Sequence, residues 1–175
     1  MKAMVVYDSM YGNTGKIAEA IGKALASEAD VEIVRVGEVK PEQLAGLTLL
    51  IVGSPTQRFS PTAATTGFLK GIPKNGLAGI KVAAFDTRLT VSEIERIRIL
   101  AFFVKIFGYA AEPIADRLVK KGGKLAAPPE GFYVGGTEGP LLEGELERDF
   151  NCAGDGTLSL ASRFKPPSQG RLKGG

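Results

Sequence analysis

The chain has 175 residues, of which 44% are hydrophobic and 23% charged, and this length and composition suit one compact domain with a sizeable core. It has no histidine and one cysteine, Cys152, which excludes imidazole catalysis, histidine metal ligands, a Cys-His nucleophile and a disulfide framework. The net charge of +3 belongs to residues 151–175, where Pro, Gly and Ser are frequent, so we expect a domain over 1–150 and an irregular, flexible, basic tail over 151–175.

Five short, mostly apolar runs are typical of strands that are covered on both faces. In chain order they are AMVVYDS, VEIVRV, LTLLIVGS, IKVAAFDT and GFYVGG. Helical patterns lie between them: TGKIAEAIGKALASEAD, the short PEQLAGL, PTAATTGFLKGI, and then SEIERIRILAFFVKIFGY followed by EPIADRLVKKGG. This alternation predicts a doubly wound, five-stranded parallel sheet in a three-layer α/β/α sandwich, with an extra helix after the fourth strand.

The first strand and the first helix are joined by a turn of small and hydroxyl side chains, SMYGNT, from Ser9 to Thr14. In a doubly wound sheet, ligands bind outside the carboxyl ends of the strands, and the first N–H groups of a helix have no intrahelical partners. A phosphate at this turn would meet those amides, the positive end of the helix dipole and the hydroxyls of Ser9 and Thr14, and Gly12 would let the backbone approach closely. The alternative is that Ser9, Asn13 and Thr14 only cap the helix.

The extra helix, predicted over residues 92–108, is apolar nearly all round from Leu100 to Phe107 except at Lys105. Such a helix needs a cover, which predicts either a homodimer contact or a hydrophobic wall beside the ligand. The run from Ile99 to Ala111 falls short of the roughly 20 residues that span a bilayer, so no transmembrane segment is expected.

The composition of the chain also limits its partners. No secretory leader pattern is present, which together with the cysteine count predicts a cytoplasmic location. The first 150 residues lack a basic stripe interleaved with aromatic residues, so no nucleic-acid partner is expected. Carboxylates are scattered along the helical patterns, so no metal site is expected either.

The turn from Ser9 to Thr14, in its strand-to-helix setting, resembles the phosphate-binding loop of the flavodoxin family, whose pattern is Ser/Thr-x-x-Gly-x-Thr. Two further stretches, Ser54–Phe59 and Asp86–Leu89, follow the third and fourth strands and are similar to the flavin-contacting loops of that family. The resemblance covers roughly residues 1–140 and implies a flavodoxin-like fold with bound FMN, in which the helix at 92–108 is an insertion. The cofactor-binding residues that it implies are Ser9, Met10, Tyr11, Gly12, Asn13, Thr14, Pro55, Thr56, Gln57, Arg58, Phe59, Asp86, Thr87 and Arg88.

The resemblance implies an electron-transfer protein that serves a redox partner protein or a small-molecule acceptor, with no catalytic side chain of its own. Phe59 is the candidate for an aromatic contact with the flavin. Pro55–Phe59 is also similar to the Pro-Thr-Arg-Phe loop of flavodoxin-like quinone reductases, which leaves an FMN-dependent NAD(P)H:quinone-type reductase as an alternative. A second alternative is a flavin-free anion-binding or dimerisation module of the same fold. Two departures from electron-shuttling flavodoxins are the neutral charge balance of the first 150 residues and the lack of a glycine close to Phe59.

Overall fold

A computed structural model describes residues 1–89, 109–136 and 139–145, and the fold is given for these residues. The strands are β1 (Lys2–Tyr7), β2 (Asp30–Arg35), β3 (Leu49–Pro55), β4 (Lys81–Leu89), β5 (Lys124–Leu125) and β6 (Glu130–Val134). The α-helices are α1 (Asn13–Leu25), α2 (Ala63–Gly71) and α3 (Ala111–Lys120), and two short 3-10 helices span Val36–Glu38 and Pro41–Leu44.

The strands form one parallel sheet in the order β2-β1-β3-β4-β5, and β6 also pairs with β4. The order reverses between β1 and β3, because the chain moves outward from β1 to β2 and then crosses to the other side of β1. Such a reversal leaves a crevice at the carboxyl ends of the strands. The predicted doubly wound parallel sheet is confirmed.

The number of strands differs from the prediction of five, because β5 and β6 share the fifth position. β5 pairs with Lys81 and Val82, whereas β6 pairs with the stretch from Phe85 to Leu89. Between β5 and β6 the chain reads AAPP, and proline has no N–H group to donate to a sheet ladder. The predicted strand GFYVGG corresponds to β6, and the sequence reading missed the two-residue β5.

Each face of the sheet buries its own hydrophobic core, because neighbouring side chains on a strand point to opposite faces. One core joins even-numbered strand residues to α2 and α3, and includes Met4, Leu50, Val82, Leu69, Ile114 and Leu118. The other joins odd-numbered strand residues to α1, and includes Val5, Ile51, Phe85, Ile17, Ile21 and Leu25. The molecule therefore has the three layers that the alternating pattern predicts.

The helical connections follow the sequence reading with local differences. The second connection is 3-10 rather than α-helical, and α2 begins after Thr62, whose Oγ1 accepts a hydrogen bond from the Thr65 amide at 3.2 Å. The helix predicted over 92–108 and the tail over 151–175 lie outside the described residues. No helix within residues 1–89, 109–136 and 139–145 is long and apolar enough to cross a bilayer.

Candidate functional site

A cavity of about 730 Å³ opens at the carboxyl ends of the central strands. Its walls come from the turn after β1, the loop after β3 and the end of β4, with one residue from the end of β6. The lining residues are Met10, Tyr11, Asn13, Thr14, Pro55, Thr56, Gln57, Arg58, Ser60, Pro61, Thr87, Arg88, Leu89 and Val134. The volume falls in the range of small-molecule and cofactor sites.

The turn after β1 presents backbone donors at the start of α1. Gly12 precedes the helix with a φ of 87°, in the left-handed region that glycine adopts without steric cost. The first bond of the helical ladder runs from the Lys16 amide to the Gly12 carbonyl at 3.0 Å, so the amides of Asn13, Thr14 and Gly15 have no partner inside the helix. The first turn of α1 carries no acidic side chain, and the positive end of its dipole is available to an anion.

Ser9 adds an unusual donor to this turn. Its side chain is 7% exposed, and its Oγ is a buried polar atom with no hydrogen-bond partner. The turn itself is fixed, because Arg35 donates to the Ser9 carbonyl at 2.6 Å and Asn13 Nδ2 donates to the Gly139 carbonyl at 2.5 Å. A buried hydroxyl without a partner is costly unless a ligand satisfies it.

A hydroxyl pair joins the turn to the centre of the sheet. Thr14 Oγ1 lies 2.9 Å from Thr87 Oγ1, and both side chains are buried. The Thr14 hydroxyl therefore already has a protein partner, unlike that of Ser9. This bond ties the start of α1 to the end of β4.

The loop after β3 contains a tight reversal at Arg58 and Phe59. The amides and carbonyls of Gln57 and Ser60 exchange two hydrogen bonds, each of 2.9 Å, around these two residues. Arg58 has a φ of 46° and Phe59 a φ of 66°. Two successive positive values are typical of a type I′ turn, for which Asn and Gly are the favoured residues.

The end of β4 holds a buried ion pair. Asp86 is fully buried and accepts two hydrogen bonds from Arg88, from Nε at 2.5 Å and from Nη2 at 2.8 Å. Its Oδ2 also accepts the amide of Ala111 at 2.8 Å, so a strand side chain caps α3. Burial raises the pKa of the Asp86 carboxyl above its usual value, and the hydrogen bonds and positive charge of Arg88 act in the opposite direction.

The structure brings most of the predicted site residues to the wall of one cavity. The exceptions are Ser9, Gly12, Phe59 and Asp86: Ser9 and Gly12 belong to the turn behind the wall, Phe59 is half-buried beside it, and Asp86 lies beneath Arg88. Sequence reasoning missed the lining residues Ser60, Pro61 and Val134, and it included Leu89 only as the end of the Asp86–Leu89 stretch. Val134 ends a strand, so the rule that ligands sit at strand carboxyl ends could have found it.

These features fit a phosphorylated cofactor. The helix start offers three unpartnered amides and a dipole, the Ser9 hydroxyl is buried without a partner, and the adjoining cavity is large enough for a ring system. The fold and the site therefore define a doubly wound α/β protein with a cavity suited to a phosphorylated cofactor at the switch point of its sheet.

Comparison with known proteins identifies the family. The family model for flavodoxin matches residues 5–147, and the chain belongs to the flavodoxin family. Proteins of this family bind FMN and transfer electrons to redox partners, and this chain is an FMN-binding, flavodoxin-like electron-transfer protein. No curated protein sequence matches the chain significantly.

Solved structures share the fold. A flavodoxin from the domain Archaea is 25% identical, covers 83% of this chain and 89% of its own, and has a TM-score of 0.63. Flavodoxin 1 from Bacillus cereus is 16% identical, with coverages of 84% and 90% and a TM-score of 0.63. The rubredoxin oxygen:oxidoreductase of the anaerobe Desulfovibrio gigas is 19% identical, and this chain matches 32% of it with a TM-score of 0.62.

Proposed function

We propose that FMN occupies the cavity at the carboxyl ends of β1, β3 and β4, with its phosphate in the turn Ser9–Thr14 and its ring between the loop Pro55–Phe59 and the end of β4. The observation that carries this proposal is the buried, unpartnered hydroxyl of Ser9 beside a helix start with three unpartnered amides. One helix cap would need one hydroxyl, so this arrangement favours a bound phosphate over simple capping.

In this proposal the phosphate is held mainly by backbone donors. Gly12 sets the direction of the turn, and the amides from Asn13 to Gly15 point to the anion together with Ser9 Oγ. Thr14 positions the helix start through its bond to Thr87, and Asn13 does so through Gly139. Met10 and Tyr11 are about half exposed and line the cavity.

The ring would be bordered by polar and charged side chains. One wall comes from the loop after β3, with Pro55, Thr56, Gln57 and Arg58. The other comes from the end of β4, with Thr87 and Arg88. When bound, FMN supplies the redox-active ring, and the chain binds it, orients it and limits its contact with water. Phe59 does not line the cavity, so its proposed contact with the ring requires a rearrangement of the turn.

A titration with FMN tests this assignment. Added FMN should lose fluorescence and shift its visible absorption as the purified protein binds it, and riboflavin, which lacks the phosphate, should bind more weakly. Protein that binds inorganic phosphate but neither flavin would contradict the assignment and support the flavin-free anion-binding alternative.

The acceptor in this proposal is a redox partner protein or a small molecule. Steady-state oxidation of NADH or NADPH with a quinone separates a carrier from the reductase alternative, since a carrier should show almost no turnover without an added reductase. Turnover that depends on bound FMN would instead assign the reductase activity.

Two further proposals rest on the sequence. We propose a homodimer through the helix predicted at 92–108, on account of its apolar surface, and sedimentation equilibrium of the full chain tests it. A single species of monomer mass at micromolar concentration would overturn it.

We also propose a cytoplasmic location, supported by the single cysteine.

A further inference from the structure

We propose that Arg88 is a fixed cation in the wall of the FMN cavity, and that it stabilises the negative charge which the flavin ring gains when it takes up two electrons and one proton. The inference rests on the proposed FMN site and concerns how tightly that site binds reduced FMN relative to oxidised FMN. It assigns to Arg88 a role beyond that of a residue that borders the ring.

The guanidinium of Arg88 is held in one orientation by Asp86. The two side chains share one face of β4, and their two parallel hydrogen bonds of 2.5 and 2.8 Å form a bidentate pair. The third bond of Asp86, from the Ala111 amide, anchors the carboxylate to the start of α3. Arg88 therefore has little rotational freedom to lose when a ligand binds.

Gly131 of the neighbouring strand β6 and Tyr109 complete a clamp around the Arg88 guanidinium, of which Asp86 forms the first part. Gly131 pairs with Asp86 across β6 and β4, and a Cβ atom at Gly131 would lie 2.2 Å from the Arg88 guanidinium carbon. Only glycine leaves room for the guanidinium at this position of the strand. On another side, the Tyr109 ring centroid lies 3.8 Å from the same carbon, in a cation–π contact.

The clamp places a positive charge at a cavity wall to which the described part of the chain contributes no acidic side chain. Among the described residues that line the cavity, the charged ones are Arg58 and Arg88, and none is acidic. Arg58 is exposed, so water and salt screen its charge. The side chain of Arg88 is 10% exposed, and its counter-ion Asp86 lies behind it in the core. The ion pair is thus a buried dipole with its positive end at the cavity wall.

Such a preorganised dipole favours the reduced cofactor over the oxidised one. The oxidised ring is neutral, and uptake of two electrons and one proton leaves it with one negative charge. A fixed positive charge in a dry site stabilises charge that develops there without reorganising solvent. Reduced FMN should therefore bind more tightly relative to oxidised FMN than it would without the Arg88–Asp86 dipole.

The test is the double variant Asp86→Asn/Arg88→Gln, which removes the dipole while conserving net charge and leaving an amide oxygen to accept the Ala111 N–H. Oxidised FMN is titrated by fluorescence, and the two-electron midpoint potential of the bound FMN is measured at pH 8 with mediator dyes. We expect the affinity for reduced FMN to fall about tenfold more than the affinity for oxidised FMN, which lowers the potential by about 30 mV.

A second readout is the pH at which the reduced ring is protonated, seen as a break in the pH dependence of the potential. Loss of the fixed cation should raise that pH by about one unit, because the anion is less stabilised. Arg88→Lys keeps the positive charge, so its midpoint potential and its protonation pH should lie between those of the natural chain and those of the double variant. Arg117→Gln is the matched control, since it removes a cation from α3 outside the cavity and should leave both readouts unchanged.

Each result decides between the proposals. If the natural chain binds no FMN, the proposed function fails and takes this inference with it. If the natural chain binds FMN and the double variant keeps the same potential and protonation pH, only the role of Arg88 is overturned. A shift in Arg117→Gln equal to that in the double variant would also overturn it, because loss of a cation outside the cavity would then have the same effect as loss of the Arg88–Asp86 dipole.

Discussion

Ser9 is the residue whose environment a ligand explains best. Its hydroxyl is buried without a partner, beside amides that the helix leaves unpaired. An unsatisfied buried hydroxyl destabilises the chain that carries it, whereas a hydrogen bond to a charged phosphate is worth about 1.5–3 kcal/mol. The same side chain should therefore weaken the cofactor-free protein and strengthen the bound one.

Replacing Ser9 by alanine should separate these two effects. We expect Ser9→Ala to weaken FMN binding about 10- to 100-fold and to weaken riboflavin binding much less, since riboflavin has no phosphate. Without FMN, the free energy of unfolding should stay the same or rise. Fluorescence titration and urea unfolding measure the two quantities.

Ser54 is the matched control for this experiment. Its Oγ is also buried, but it accepts the Thr62 amide at 3.0 Å and donates to the Pro55 carbonyl at 3.0 Å. Ser54→Ala should therefore lower the free energy of unfolding of the cofactor-free protein by about 1–3 kcal/mol, because the buried Thr62 amide loses its partner. Equal destabilisation by both variants would contradict the role assigned to Ser9.

Asp86 should make stability depend on pH in a particular direction. Burial raises its pKa in the folded chain above the usual 3.8, so in the range above that value the folded chain holds more proton than the unfolded chain. Stability from this group is then present at low pH and is lost as pH rises through the folded pKa. The free energy of unfolding of the natural chain, minus that of Asp86→Asn, should fall between about pH 4 and the folded pKa, as measured by urea unfolding. A difference that rises with pH would show that Arg88 outweighs burial.

The sequence leads to a candidate role for a residue where the local pattern carries it. The hydroxyls and Gly12 stand in one short turn between a strand and a helix, so the sequence alone leads to a joint phosphate-binding role, which stays a prediction. The clamp around Arg88 could not be predicted, because Tyr109 and Gly131 lie far along the chain and only the pairing of β4 with β6 brings them to it.

At the scale of elements, the turn from Gln57 to Ser60 is the segment whose sequence fits its conformation least well. Its two central residues, Arg58 and Phe59, both have positive φ, although neither is glycine or asparagine. Residues held in that region cost about 1–3 kcal/mol each, and the surrounding hydrogen bonds maintain them. Strain of this kind at a cavity wall suggests that the side chains are kept for binding rather than for stability.

Giving the turn its favoured sequence should therefore stabilise the fold and impair the site. Arg58→Asn/Phe59→Gly is expected to raise the free energy of unfolding by about 1–3 kcal/mol and to weaken FMN binding. Chemical unfolding and flavin titration check the two halves. As a control, Asn75→Gly makes a similar change at a positive-φ residue that does not line the cavity, and it should not alter FMN affinity.

The elements themselves follow the sequence wherever periodicity is strong. The apolar runs of β1, β3 and β4 and the stripe of α1 predict those elements directly, since buried parallel strands and amphipathic helices have distinct periods. The split of the fifth strand was not predicted, because β5 has two residues and gives no periodic signal. The short 3-10 helices of the second connection similarly lack the length that a helical period needs.

At the scale of the whole molecule, the cavity joins parts of the chain that are distant in sequence. The turn after β1, the loop after β3 and the end of β4 each supply part of its wall. A ligand that touches all three is bound only by the folded protein, so it should stabilise the fold as a unit.

Thermal unfolding in the presence of flavins measures this coupling. FMN at about 100 times its dissociation constant should add about 2.7 kcal/mol, which raises the midpoint by roughly 5–11 °C for a domain of this size. Riboflavin at the same concentration should raise it less. An unchanged midpoint at saturating FMN would mean that the cofactor does not distinguish folded from unfolded chain.

The overall architecture could be predicted from the alternation of strands and helices, because parallel strands require crossovers and the crossovers are right-handed. The loops after β1, β3 and β4 could be placed at one edge of the sheet, because the carboxyl ends of parallel strands lie at the same edge. Their distances and partners depend on register, which the sequence leaves open until the strands are paired.

The two outer strands of the described sheet affect whether the cofactor-free protein self-associates. At one side β2 exposes Asp30, Glu32 and Arg35, and charged side chains discourage another strand from joining. At the other side, prolines interrupt the strand, and the outer groups of Tyr133 are taken up by Leu142 and Glu145. Both edges of the sheet are thus poor templates for fibril growth. The cofactor-free protein should therefore resist self-association through its sheet.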